Sequence, residues 1–273
     1  MDIIFTKSFW ELDLDSFADP MLTFVVKVRD DGFDGTEMFL PLIDDEPGKV
    51  LDLHEEHHLR APIIDIVTEG ETPNDHRQSF DRMVDRALEF LPPLINSHTG
   101  RDVFAFADNV SLFEHAIAVS EEIGIPVVHE THRFRPTYSA IETRRYLEEL
   151  PGLLLNADLS HWMVVHESDL IDQAETVETA LRRSRHIHAR VGFAEGPQVG
   201  NPMASIWAPQ VERHIELWQR IVDHCREASV PTLAITPEFG PPPYAPVDAA
   251  GEPASDVWES NIYMKDLLRQ RLV

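Results

Sequence analysis

The sequence predicts an α/β protein, a single (β/α)8 TIM barrel running from residue 1 to residue 273. Three observations predict it. Eight short apolar runs, each about as long as a buried parallel strand, alternate with helix-period segments from end to end. The 273 residues fit the roughly 250 that such a barrel needs. An open doubly wound sheet, the competing architecture, usually carries a glycine-rich phosphate loop after its first strand, and Phe5-Thr6-Lys7-Ser8-Phe9-Trp10 holds no glycine.

The strand-like runs are, in order, Ile3–Phe5, Gly35–Leu40, Pro62–Val67, Pro93–Asn96, Pro126–His129, Leu153–Asn156, Arg185–Ala189 and Thr232–Thr236. Between the first two, Phe17, Met21, Phe24, Val25 and Val28 recur at helical steps. Val50–Leu59 is the weakest helix expectation, since three of its residues are histidine. Thr72-Pro73 sets a capping residue before a first-turn proline, and Phe80, Met83, Val84, Ala87, Leu88 and Leu91 continue that helix. Ser111 and Glu114 have capping-box spacing and predict a helix start there, with Gly124 closing the helix. Val211, Ile215, Trp218, Val222 and Cys225 form the clearest stripe, which makes Cys225 a core residue. Pro237 to Pro253 holds six prolines, long and stiff for a connection after the last strand, and is expected to lie over the barrel mouth.

Composition narrows the class. Hydrophobic residues at 43% and charged residues at 26% sit near the globular average, so disorder and coiled coil are excluded as overall descriptions. No apolar run reaches the roughly 20 residues of a membrane helix. The start, Met1-Asp2-Ile3-Ile4-Phe5, lacks the basic region of a signal peptide, and one cysteine forms no intrachain disulfide; both point to the cytoplasm. Lys and Arg total 23 against 48 Asp and Glu, a net charge of −25. Such a field repels nucleic acid and anionic lipid and attracts divalent cations, though solubility alone would also account for it.

Barrel enzymes place their chemistry at the C-terminal ends of the strands. Here strand four ends in Asn96-Ser97-His98, strand five in His129-Glu130-Thr131-His132-Arg133, and strand six in Asn156-Ala157-Asp158-Leu159-Ser160-His161. Strand seven is His186-Ile187-His188-Ala189-Arg190, and strand eight ends in Thr236-Pro237-Glu238. Glu, Asp, His and Glu at four successive tips would repel one another unless a cation joined them. Three carboxylates and an imidazole suit one divalent ion, Mn, Mg, Co or Zn. With no thiolate among them, a structural zinc is not expected.

These strings, together with Phe33-Asp34-Gly35-Thr36-Glu37 on strand two, resemble the xylose isomerase-like TIM-barrel superfamily, and within it the sugar phosphate isomerase/epimerase group. The resemblance covers the whole chain. It implies metal ligands at Glu130, Asp158, His188 and Glu238, with His161 following Asp158 by three as the family's histidine does. The chain departs from the ketose 3-epimerases at Pro136 and Ala194, where they place a second Glu and an Arg.

The function expected is a divalent-metal-dependent isomerase or epimerase of a small sugar, keto-polyol or hydroxy-keto acid, working by proton transfer through an enediolate. Glu130 and Glu238 are the expected acid–base pair, with His161 the third catalytic residue. His98, His132, Arg133, Arg190 and Glu37 are candidate substrate contacts, Glu37 at the mouth. The alternatives are a metal-dependent dehydratase on the same site and an inactive sugar-binding relative. A superfamily nuclease conflicts with the charge. The partners expected are a small carbohydrate-like molecule and a second copy of the chain in a homo-oligomer, with no nucleic acid and no membrane. Of the remaining candidates, His54, His57 and His58 are read as a solvated helix face, and His129 and His186 as pointing away from the site. Trp162, Phe193, Trp207 and Tyr244 are read as an apolar wall or as helix–barrel packing.

Overall fold

The computed structural model describes residues 1–12 and 16–272. Eight parallel strands close into a barrel in sequence order: β1 (Asp2–Lys7), β2 (Gly35–Phe39), β3 (Ile63–Val67), β4 (Ile95–His98), β5 (Val127–Glu130), β6 (Leu155–Ala157), β7 (Ser184–His188) and β8 (Thr232–Thr236). β1 pairs with β8 from Asp2↔Thr232 to Phe5↔Ile235, which removes both sheet edges. Each of the eight predicted runs is a strand.

Helices wrap the barrel: α1 (Pro20–Asp30), α2 (Pro47–Glu56), α3 (Pro73–Leu88), α4 (Phe106–Ile123), α5 (Ala140–Glu149), α6 (Leu159–His166), α7 (Ala174–Leu181), α8 (Ala208–Glu227) and α9 (Val257–Arg271). The Thr72–Asp75 capping box opens α3, and Gly124 ends α4 in the left-handed region at φ 69°. The expected start of α4 at Ser111 is corrected. The helix begins at Phe106, with no side-chain cap at Ala105. Packing carries that first turn instead, since the Phe106 ring stacks on Tyr146 of α5 at 4.6 Å. The histidines of α2 are corrected in part. His54 is buried, with Nε2 2.8 Å from Thr36 Oγ1 of β2 and Nδ1 2.7 Å from the Val50 carbonyl. An imidazole can sit in that interface because both nitrogens find partners. Cys225 is buried on α8, as its stripe implies.

Side-chain parity positions the site. Inward residues alternate with outward ones along each strand. At the N-terminal end Ile4, Ile63, Leu94, Val128 and Ala234 form an apolar plug. Two residues further along β1, β3, β5 and β8 stand Thr6, Asp65, Glu130 and Thr236. Thr6 and Thr236 touch Oγ1 to Oγ1 at 2.6 Å. The barrel is thus dry at one end and polar at the other. The 237–253 segment folds over the polar end and brings Tyr244 to the mouth. Gly240 lies under Trp10, where an added Cβ would stand 1.9 Å from the indole Cζ2, so only glycine fits.

Candidate active site

A cavity of about 260 Å³ opens at the polar end, lined among others by Trp10, Asp65, His98, Glu130, Arg190 and Tyr244. His188, the last residue of β7, is the hub of the carboxylates that meet there. Its Nε2 lies 2.8 Å from Glu37 Oε1. Its Nδ1 comes 2.9 Å from Glu238 Oε2 and 3.3 Å from Glu130 Oε2, yet the ring is aimed badly for either and Nδ1 makes no hydrogen bond. Burial alone would lower the His188 pKa; Glu238, Glu37 and Glu130 together outweigh it and raise it well above the usual value.

Glu130, Asp158 and His188 offer donor atoms within 4.8 Å of one another, all buried. Glu238 joins through His188 and through Arg190, whose Nη2 donates to Glu238 Oε2 at 3.0 Å and, at shorter range, to Asp158 Oδ2. Asp158 is also the N-cap of α6, accepting from the Ser160 amide at 3.1 Å. Burial favours its neutral form, but Arg190 and Ser160 overcome that and hold its pKa below the ordinary value. Glu130 behaves oppositely. Burial, with Glu238 and Asp65 adding repulsion against the pull of His98 and His188, pushes its pKa up to about 7.

These residues fit a divalent ion. The donors are oxygen and imidazole nitrogen. His188 Nδ1 is buried, makes no hydrogen bond and is faced by carboxylates, a place a cation would take in exchange for the ring proton, while Nε2 is held by Glu37 as a ligating histidine is held by an outer carboxylate.

The other candidates surround this set. His98 Nε2 lies 3.2 Å from Glu130 Oε2 and 3.7 Å from Asp65 Oδ1. His161, on α6, lies 3.5 Å from Asp158 Oδ2, and the His132 ring packs on it at 4.1 Å. Burial, then the cations Arg190 and Arg133, hold the His161 pKa well below the usual value; burial also does so for His132. Both imidazoles are therefore neutral donor–acceptor groups at pH 7. Arg133 stands at the edge, its guanidinium 5.6 Å from the Tyr244 ring centre.

Glu37 is not at the mouth. It lies beneath His188, 3% exposed, accepting also from Thr236 and lying 3.0 Å from His186 Nε2, and it does not line the cavity. His186 is corrected accordingly. It stands two residues before His188 and so shares its inward face, whereas His129, next to Glu130, does point outward onto Phe113. Of the aromatic candidates, Tyr244 lines the cavity, Trp162 is buried with Nε1 donating to the Thr137 carbonyl at 2.8 Å, and Phe193 packs on Trp207. Asp65 and Trp10 were not foreseen. Asp65, a lone carboxylate in the apolar run Ile63-Ile64-Asp65-Ile66-Val67, was a usable signal. Trp10 sits on a loop without periodicity and had none.

Residues 25–198 match a family model described as xylose isomerase-like TIM barrel. Among solved structures, D-allulose 3-epimerase from Methylomonas sp. is 14% identical, with 99% of this chain and 97% of that one covered and a TM-score of 0.65. A xylose isomerase-like TIM barrel protein from Mycobacterium smegmatis, in complex with magnesium, is 13% identical over 99% and 98% of the two chains, with a TM-score of 0.66. The probable 3-DHS dehydratase of Bacillus anthracis is 14% identical over 99% and 100%, with a TM-score of 0.62. At these identities the likeness is one of fold. No curated protein sequence matches the chain.

Proposed function

Because the chain belongs to the xylose isomerase-like TIM barrel family, we propose that it is a divalent-metal-dependent isomerase or epimerase of a small hydroxy-carbonyl compound, working by proton transfer. The observation that carries this reading is the buried cluster of Glu130, Asp158 and His188, with Glu238 against His188, at the end of the barrel where such folds work. An ion held by these four residues would polarise a carbonyl and its neighbouring hydroxyl. Glu37 sets the His188 ring so that Nδ1 faces the cluster. Glu130 and Glu238 flank Nδ1, and one takes the proton beside the carbonyl while the other returns a proton to the enediolate. His161 and His98 hold substrate hydroxyls at the two sides of the cluster. Trp10 and Tyr244, ring centres 5.5 Å apart, roof the cavity and limit water at the reacting carbon.

Turnover in D2O tests the reading. With a panel of small ketoses, keto-polyols and hydroxy-keto acids, the converted substrate should carry deuterium at the isomerised carbon. Product free of deuterium would remove the acid–base roles from both glutamates. Product lighter by one water would make the protein a dehydratase.

His161→Ala gives a separate check. The ring touches Asp158 and Arg190, and it is neutral. The variant should keep its metal on elemental analysis and lose about 10²–10⁴-fold in turnover, the range of one proton-handling or hydroxyl-binding group. Loss of the metal would make His161 a ligand.

A further inference from the structure

Four arginines, Arg101, Arg133, Arg135 and Arg190, gather around the mouth of this acidic barrel, and of the four only Arg190 is ion-paired among the described residues. The chain carries a net charge of −25, yet Arg101, Arg133 and Arg135 form no ion pair among the described residues. Arg101 stacks over Phe134 at 3.8 Å, and Arg135 donates to the Gly100 carbonyl at 2.9 Å. Arg190 is 1% exposed and lines the cavity; Asp158 and Glu238 take its Nη2, while Nε and Nη1 are buried with no acceptor. Its guanidinium lies 4.3 Å from the Tyr244 ring centre, and that of Arg133 lies 5.6 Å from the same ring. A buried donor without an acceptor is destabilising, because it has given up its water and gained nothing in exchange. A ligand oxygen relieves that cost, and an anion relieves more.

Resting on the isomerase reading above, the geometry points to a substrate that carries a carboxylate, held by Arg190 and Arg133 against Tyr244. The class is a small hydroxy-keto or polyhydroxy acid rather than a neutral sugar. Phosphate fits the site less well. Barrel phosphate sites use backbone N–H groups of the last βα loops, and three glycine amides around the mouth are engaged. The Gly192 amide donates to His214 Nε2 at 3.3 Å, that of Gly240 to Gln198 Oε1 at 2.8 Å, and that of Gly100, in the loop after β4, to Thr68 Oγ1 at 3.0 Å. Planar guanidinium groups remain; their fork matches carboxylate and phosphate alike, so the preference for a carboxylate rests on the occupied amides.

Calorimetric titration of the magnesium-loaded protein with glycerate, glycerol 3-phosphate and glycerol tests this without turnover. Glycerate should bind about tenfold or more tighter than glycerol, as charge-assisted hydrogen bonds imply, and tighter than glycerol 3-phosphate, for which free amides are lacking. Arg133→Gln, a half-buried position, should erase most of that preference while leaving metal content and melting temperature unchanged. Equal binding of the three probes would overturn the inference, and tighter binding of glycerol 3-phosphate would overturn its carboxylate assignment. A preference that survives in both Arg133→Gln and Arg190→Gln would be chelation by the ion alone and would also overturn it. Deuterium exchange on neutral ketoses without the glycerate preference sinks this inference and spares the isomerase reading; the preference without exchange on any substrate does the reverse.

Discussion

Glu238→Gln should lose metal and turnover together. The side chain is 15% exposed, so an isosteric amide fits without strain and the fold should persist. What changes is charge. Glu238 is the carboxylate nearest to His188 Nδ1, at 2.9 Å, and the second partner of Arg190, at 3.0 Å. An amide oxygen is a weaker donor to a hard cation, and it can neither accept nor return a proton near neutral pH. Metal affinity should fall by at least about 100-fold, more than the loss of an outer carboxylate brings. Turnover should fall by about 10³-fold or more, as expected when an acid–base group and a ligand are lost at once. Elemental analysis after dialysis and the rate of deuterium incorporation measure the two effects. Unchanged metal content would remove Glu238 from the ligand set; full metal with lost exchange would leave it the acid–base role alone.

Glu37→Ala should have the larger effect on the protein itself. Three groups converge on this buried carboxylate: His186 Nε2 at 3.0 Å, His188 Nε2 at 2.8 Å and the Thr236 hydroxyl. Burial by itself would keep Glu37 neutral. His186 and His188 outweigh it and hold the carboxyl well below its usual pKa. Removing one partner of a buried charged pair costs about 3–5 kcal/mol, because the other partners remain buried without it. At roughly 2–4 °C per kcal/mol for a domain near this size, the melting temperature should fall by about 10 °C. Glu37→Gln keeps the shape and should cost less stability, yet it still lowers metal affinity about 10–100-fold by freeing the His188 ring. A Glu37 that served as a rim contact would shift KM and leave melting and metal affinity unchanged, so the two readouts separate the roles.

Much of the candidate site was legible because a barrel turns strand order into geometry. Once eight runs alternate with helices, the residues at their C-terminal tips must converge. Glu130, Asp158 and His188 do so within 4.8 Å, and Glu238 closes on His188. Parity could also have placed His186, two residues from His188, on the same inward face. Loop residues were harder. Tyr244 reaches the site from a proline-rich segment with no period, and Trp10 from a turn whose position is set by its packing over Gly240. The start of α4 was misplaced because a local capping pattern competes with the Phe106–Tyr146 stack, and that contact joins two helices.

The sequence by itself determined the order of strands and helices and the strand tips that carry Glu130, Asp158, His188 and Glu238. These follow from periods of two and 3.6 residues, which are local properties of the chain. Only the tertiary structure decided how deep each residue sits and what it faces. Glu37 on β2 meets His186 and His188 on β7 and Thr236 on β8 because closing the barrel staggers the strands and brings distant ones across the axis. Arg190, just past β7, meets Asp158 and Glu238 because β7 pairs with β6 on one side and β8 on the other. The contacts of Glu37 join residues separated by 149 to 199 positions in the chain, and no local pattern encodes a stagger that arises when the ring closes.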